Sequence, residues 1–253
     1  MEWHIVGAYG GDSPQHRMTC FVINSTTALD AGSLTRGLPV EAQRRIRNIV
    51  ISHAHMDHIC ALPFLVENVF GASSEALTIH CIKESTIMIR KSIFNNDTWP
   101  DFTKIPDRRV PSIQFKEVQR EVPFTVDGLT FTPIPVNHIV PTVGYLVEDE
   151  GRGVIYTSDT GPTERIWEVA NAHPDLKAVI IETSFDNSLE KVAILSKHFT
   201  PSMLKEELKK LKKDVPVYLY HLKPPYIKKM MKEIDALGDP RIHYLIQDKT
   251  YTF

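Results

Sequence analysis

An apolar run, "NIVIS" at residues 48–52, ends directly in His-Ala-His-Met-Asp-His at residues 53–58. This junction constrains the fold more than any other stretch of the chain. Four side chains of metal-ligand type within six positions cannot enter a core unpartnered, because buried polar groups need partners. His53 and His55, two apart, point the same way from an extended chain, whereas Asp57 and His58 lie where the chain turns towards a helix. Two pairs of donors therefore face one small volume from different directions. Just past the C-terminal end of a strand, side chains can converge without filling the core. The junction thus predicts a metal site just past the end of a strand.

Three more residues stand in the same kind of place. His138 follows "LTFTPIPVN", Asp159 follows "GVIYTS" and precedes the turn "TGP", and His221 follows "VPVYLY" and precedes "LKPPY". Imidazole and carboxylate donors suit zinc first, with manganese and iron as alternatives, and need no thiolate. Taken singly each of these would be an ordinary satisfied residue; with the hexapeptide they complete a ligand set.

Composition narrows what such a site acts on. The chain has 253 residues, enough for one large α/β domain over 1–253. With 31 acidic against 29 basic residues its net charge is −2, which argues against a nucleic-acid or anionic-membrane partner held mainly by charge. The opening "MEWHIVGAYGG" lacks the features of a signal peptide, and no apolar stretch could span a bilayer. Cys20, Cys60 and Cys81 are odd in number and unpatterned. Reduced thiols and a cytoplasmic location are the expectation.

Short β-rich runs recur, among them "HIVGAY", "CFVI", "LTIHCI", "VGYLVE" and "AVIIE". Helical patterns fall near residues 58–70, 84–94, 163–172, 188–198, 201–213 and 224–237. Strands come first largely without helices and later alternate with them, as in a mixed α/β sandwich. The stretch 84–123, with Pro100, Pro106, Pro111 and Pro123, reads as an inserted cap. The lysines of "PSMLKEELKKLKKD" read as a solvated helix face. Asp12, Ser13 and Gln15 form a polar loop able to line the site, and His4, His16, His80, His173 and His243 have only structural readings.

The hexapeptide with strand-end His138, Asp159 and His221 resembles the metallo-β-lactamase superfamily over nearly the whole chain. "TTALDAGS" is similar to that superfamily's first motif, with Asp30 beside the site and Gly32 in the tight turn. The resemblance implies an αββα sandwich holding two divalent ions. His53, His55 and His138 would hold one, Asp57, His58 and His221 the other, and Asp159 would bridge them.

"IETSFDNS" followed by "LSKHFTP" is similar to the phosphodiesterase branch, which includes tRNase Z. That likeness implies catalytic roles for His198 as the acid near the leaving oxygen, Glu182 as the group that holds it, and Asp57 beside the ions. "SIFNNDTWPDFTKIP" and "HLKPPY" look like class II cyclic-nucleotide phosphodiesterases, although that family normally has Leu where this chain has Met56. The implied reaction is hydrolysis of a 3′,5′-cyclic mononucleotide to a 5′-monophosphate by a hydroxide bridging the ions. Asn95, Asn96, Trp99 and Lys223 are the candidate substrate contacts, and a homodimer is expected. The alternatives are an RNA 3′-processing nuclease of the tRNase Z kind and a non-catalytic iron sensor. Only twenty-odd residues separate His138 from Asp159, too few for the arm usual in tRNase Z.

Overall fold

A computed structural model of the chain describes residues 1–72, 75–107 and 109–253. In chain order the first strands are β1 (Glu2–Gly7), β2 (Cys20–Ile23), β3 (Thr27–Leu29), β4 (Asn48–Val50), β5 (Leu77–Ile82) and β6 (Ile113–Val118). There follow β7 (Phe124–Val126), β8 (Leu129–Pro135), β9 (Val143–Asp149), β10 (Arg152–Tyr156), β11 (Leu176–Glu182), β12 (Val217–Tyr220), β13 (Ile242–Tyr244) and β14 (Thr250–Thr252). They form two seven-stranded sheets, ordered β14-β1-β2-β3-β4-β5-β6 and β13-β12-β11-β10-β9-β8-β7.

Each sheet is part antiparallel meander and part parallel crossover. β1 to β3 pair antiparallel, then β3 to β6 pair parallel. β7 to β10 pair antiparallel, then β10 to β13 pair parallel. Because β8 and β10 both run antiparallel to β9, they end on the same edge. That edge also receives the ends of β11 and β12, which run parallel to β10.

Helices cover the outer faces. Besides the short helices Leu34–Gly37 and Val40–Gln43, they include α1 (Met56–Ile59), α2 (Leu62–Val69), α3 (Lys83–Ser92), α4 (Arg165–Ala172), α5 (Glu190–Ser196), α6 (Pro201–Glu207) and α7 (Ile227–Asp235). Side-chain alternation separates the layers. Val50 points between the sheets with Trp3, Phe21, Tyr145 and Tyr156, while its neighbours Ile49 and Ile51 face Leu62, Leu65 and Ile89 of the helical layer. On the second sheet Ala178 and Ile180 face inward, and Val179 and Ile181 face Trp167, Leu204 and Met230. The αββα arrangement follows from strands apolar on both faces, which must be covered on both. No helix among the described residues is long and apolar enough to cross a membrane.

Within the stretch 84–123 expected to be an inserted cap, α3 and β6 belong to the sandwich itself. β5, α3 and β6 make a crossover of the sandwich itself, with β6 in parallel register with β5 from Leu77↔Ile113 to Ile82↔Val118. "IQFKEV" is the edge strand hidden behind the prolines. Ile89, Ile93, Phe94, Phe102 and Ile113 belong to the same apolar cluster as Ile49 and Leu65. Pro100 and Pro123 lie in connections and Pro106 and Pro111 in a short two-stranded ribbon, so none of these four takes a donor from the seven-stranded ladders. The edge far from the strand ends is closed by Asp127, whose carboxylate accepts from Thr27 at 2.7 Å and Asn48 at 3.1 Å. There His80 stacks on Phe124 with centroids 5.5 Å apart and meets Asn48 Oδ1 through Nε2 at 2.9 Å. Burial pushes its pKa from the ordinary 6.5 down to about 4.

Candidate metal centre

The strand ends deliver the site. β4 leads to His53, His55, Asp57 and His58, β8 to His138, β10 to Asp159 and β12 to His221. The donor atoms fall into two groups that share Asp159: His53, His55, His138 and Asp159, and Asp57, His58, Asp159 and His221. Within each group these atoms lie within 4.8 Å of one another.

The spacing is that of ligands around a cation. Donors about 2.0–2.1 Å from a tetrahedral zinc are about 3.3 Å apart. Here His53 Nε2 and His55 Nδ1 are 3.1 Å apart, and His55 Nδ1 and His138 Nε2 are 3.3 Å apart. In the other group, His221 Nε2 is 3.2 Å from Asp159 Oδ2, and His58 Nε2 is 3.4 Å from Asp159 Oδ1. His58 Nε2 and Asp159 Oδ1 are buried without any hydrogen-bond partner. Two orphaned buried atoms aimed at one point are what a cation would satisfy. The residues fit two divalent ions.

Charge tells the same story. Although burial opposes ionisation, His221 and His58 hold the Asp159 carboxyl well below its ordinary range. Burial likewise opposes charge on His58, yet Asp159 and Asp30 raise its pKa well above 6.5. Burial and the neighbouring His58 push His53 well below it. His138 is pushed down to about 4 by burial. The pocket therefore keeps His53 and His138 neutral and Asp159 ionised, the protonation states that metal ligands need, while His58 carries a proton that a cation would displace.

Outer partners fix the rings of His58, His53 and His138. Asp30 accepts from Ser52 N, Ser52 Oγ and His58 Nδ1, all at 2.8 Å, and from Tyr156 OH at 2.7 Å. With Nδ1 engaged, His58 presents Nε2 to the centre. Ser52 Oγ donates to Asp30 and meets His53 Nδ1 at 3.1 Å. His138 Nδ1 is held by the Lys197 carbonyl at 3.2 Å, and the Lys197 ammonium returns to His138 O at 3.1 Å. Gly32 leaves room for the ligand turn, since a Cβ there would sit 2.0 Å from Asp57 O. Gly10 does so for His221, whose ring a Cβ would meet at 2.5 Å. Asp30, Ser158, Lys197 and His221 adopt left-handed backbone, with φ of 55°, 56°, 54° and 67°. Such conformations in non-glycine residues persist where the surroundings over-determine them.

His198 and Glu182 stand beside the ligands. His198 Nδ1 lies 2.6 Å from Glu182 Oε1, both buried. The His198 ring centroid is 5.0 Å from that of His138 and 5.4 Å from that of His221. Burial lowers the His198 pKa, but the Glu182 charge and hydrogen bond prevail and raise it.

Of the substrate-contact candidates the structure brings one to the site. Lys223 Nζ lies 5.5 Å from the Phe185 ring and donates to Gly10 O at 3.3 Å, and its charge opposes that of His198. Asn95 and Asn96 are turn formers: Asn95 Oδ1 accepts from the Asp97 and Thr98 amides at 2.9 and 2.7 Å, and Asn96 Oδ1 from the Asp101 amide at 2.9 Å. Trp99 packs edge-on against Phe64 with centroids 5.4 Å apart. Among the described residues, no hydrogen bond or ring contact of these three reaches the ligands. Their polar and aromatic atoms serve the connection between α3 and β6. In the first loop Asp12 pairs with Arg36, and Ser13 Oγ meets His16 Nδ1 at 2.7 Å. It is Ala8 that accepts from the His221 amide, at 2.7 Å. Sequence reading missed Ser52, Tyr156, Ser184 and Lys197, and only the position of Ser184 two after Glu182 in "ETS" offered a signal.

Two sheets converging seven ligands on one edge, with an imidazole–carboxylate pair alongside, define a dinuclear metal-dependent hydrolase. The profile of the beta-lactamase superfamily domain matches residues 21–242, and the chain belongs to that superfamily, as a metallo-β-lactamase-fold member. It is 26% identical to a 3′,5′-cyclic-nucleotide phosphodiesterase from Aliivibrio fischeri, over 92% of this chain and 87% of that protein. A ribonuclease Z from Lactobacillus gasseri is also 26% identical, over 93% of this chain and 92% of its own length. The crystal structure of unliganded yeast PDE1 superposes with a TM-score of 0.81 at 20% identity, covering 98% of both chains.

Proposed function

We propose that this protein hydrolyses 3′,5′-cyclic mononucleotides to 5′-monophosphates. The observation that carries the reading is the buried Glu182–His198 pair, 2.6 Å apart and packed against the ligand rings of His138 and His221. Two divalent ions, when bound, supply Lewis acidity and a nucleophilic water near neutral pH. Glu182 accepts from His198 Nδ1 and so leaves Nε2 to deliver a proton. That proton goes to O3′ as the P–O3′ bond breaks, while the incoming oxygen forms the new P–O bond on the opposite face. Without it O3′ would depart as an alkoxide. Lys223 offers a cation to a non-bridging phosphate oxygen on the His198 side.

The likeness to cyclic-nucleotide phosphodiesterases supports a small substrate, and so does the net charge of −2. β9 and β10 join through a tight turn at Glu150 and Gly151, leaving no arm between His138 and Asp159 to hold a folded RNA. The test is a panel of cyclic mono- and dinucleotides, bis-p-nitrophenyl phosphate and a pre-tRNA, with metal content measured on the same sample. The expected result is about two metals per chain and turnover of cyclic mononucleotides that depends weakly on salt, because few phosphates are contacted. Efficient pre-tRNA cleavage with a steep salt dependence would overturn it in favour of the nuclease. Two bound irons with no diester turnover would favour the sensor.

A further inference from the structure

The Ser184 hydroxyl lies between two parts of the site otherwise described separately. It is fully buried. Its Oγ is 2.9 Å from Glu182 Oε2, 2.8 Å from His221 Nδ1 and 3.2 Å from His198 Nδ1. A hydroxyl has one proton to give, and an ionised carboxylate only accepts, so the direction of these bonds is open to deduction.

His221 directs Nε2 at Asp57 Oδ2, 3.1 Å away, and Asp159 Oδ2, 3.2 Å away. A cation at that cluster takes the Nε2 lone pair, and the ring proton must then sit on Nδ1. Nδ1–H donates to Ser184 Oγ, which makes Ser184 an acceptor on that side. Its own proton is then committed to Glu182 Oε2. Glu182 Oε1 stays free to receive His198 Nδ1–H at 2.6 Å, which leaves His198 Nε2 as the proton carrier. Without the cation the His221 proton is free to move to Nε2, between the two carboxylates. Nδ1 then becomes an acceptor competing with Glu182 for the single Ser184 proton.

We propose that Ser184 is a positioning residue that makes the orientation of the His198–Glu182 pair conditional on a cation at the Asp57–His58–Asp159–His221 cluster. The other ion's ligands carry the same device. Ser52 Oγ stands between His53 Nδ1, at 3.1 Å, and the Asp30 carboxylate, at 2.8 Å. In that half the serine joins a ligand to a carboxylate that only supports ligands, whereas Ser184 joins a ligand to the carboxylate of the acid. Occupancy and proton delivery are thereby coupled, and an ion-free site does not hold a correctly oriented acid. The inference rests on the dimetal reading above.

The test measures metal affinity by chelator competition, without substrate, and leaving-group dependence separately. Ser184→Ala should weaken the more loosely bound ion by about 10–100-fold, as loss of a ligand's outer partner does. It should also slow turnover of an alkyl diester by roughly tenfold more than that of bis-p-nitrophenyl phosphate, part of a general acid's contribution. Ser184→Thr, which keeps the hydroxyl, should restore both. Glu182→Gln replaces one of the two acceptor oxygens at the far end of the chain of bonds with an N–H donor, so Ser184 Oγ–H and His198 Nδ1–H share a single acceptor, and it should weaken the metal severalfold, although Glu182 lies outside the seven-ligand set. Wild-type metal affinity in both Ser184→Ala and Glu182→Gln overturns the proposal, and should Ser184→Ala fail to fold, Glu182→Gln alone decides. Weakened metal in a protein that turns over no diester would sink the functional reading and leave the coupling standing.

Discussion

The two halves of the centre are built differently. The first sheet supplies four ligands from one turn, residues 53–58, and one carboxylate, Asp30, orients two of them, His58 directly and His53 by way of Ser52. The second sheet supplies His138, Asp159 and His221 from three separate strand ends, each with its own support. His138 leans on the Lys197 carbonyl, His221 on Ser184, and Asp159 on the imidazoles around it. The compact half has one support whose loss spreads to both of these ligands. The dispersed half has several supports whose losses stay local, apart from Asp159, which belongs to both ion groups.

The largest break comes at that shared corner. Asp159→Ala should drop the chain from about two metals to fewer than one and abolish hydrolysis, because both ions lose a charged ligand. Elemental analysis alongside an activity assay checks this; an active variant with full metal would remove Asp159 from the bridge.

His198→Ala comes next. It should keep both metals and lose roughly two to four orders of magnitude in kcat on a cyclic nucleotide. The loss should shrink on bis-p-nitrophenyl phosphate, whose leaving group needs no proton. Equal losses on the two substrates would show that His198 does something other than protonate.

A paired measurement then compares the supports themselves. Asp30→Asn should weaken metal binding by about 10–100-fold, since one oxygen then has to serve the donors of Ser52, His58 and Tyr156 that two oxygens serve now. Lys197→Ala should weaken it by less than tenfold, because the backbone carbonyl that holds His138 survives and only a hydrogen bond worth about 1 kcal/mol is lost. Chelator competition on both variants decides, and equal losses would dissolve the contrast between a shared and a distributed support.

The smallest effect is expected at His80, far from the metals. Its folded pKa of about 4 lies below the ordinary 6.5. The unfolded chain therefore takes up a proton that the folded one refuses as pH falls through that window, and stability drops with it. Above about pH 6.5 the contribution is constant. In His80→Gln this component should vanish, so the fall in Tm between about pH 7 and about pH 4.5 should be shallower than in the wild type. An unchanged slope would place the acid sensitivity elsewhere.

The compact half was also the legible half. Four ligand types crowded behind an apolar run speak through local spacing alone, and His53, His55, Asp57 and His58 fell where that spacing put them. His138, Asp159 and His221 could be picked out only because each follows a strand, and their convergence depends on β8 and β10 running the same way. Ser52 and Lys197 left no pattern, and Ser184 left only its place two after Glu182. A hydroxyl or a carbonyl acquires its role from partners far off in the chain, as Tyr156 does with Asp30, 126 residues away. The prolines on either side of "IQFKEV" hide it as a strand, whereas its apolar Ile113, Phe115 and Val118 set among polar Gln114, Lys116 and Glu117 mark the edge strand that the structure shows.

The centre lies across the seam between the sheets, and its most distant partners, Asp57 and His221, are 164 residues apart in the chain. Neither sheet alone can gather either complete set of donors. An ion held there acts as a rivet, so the affinity measured for it includes the free energy of bringing the sheets together. By mass action, the fraction of chains with docked sheets then follows the free metal concentration. During synthesis, the final ligand becomes available only once β12 has emerged. Hydrolytic competence therefore appears late and all at once, and a chain that loosens along the seam should lose its ions and its activity in the same event.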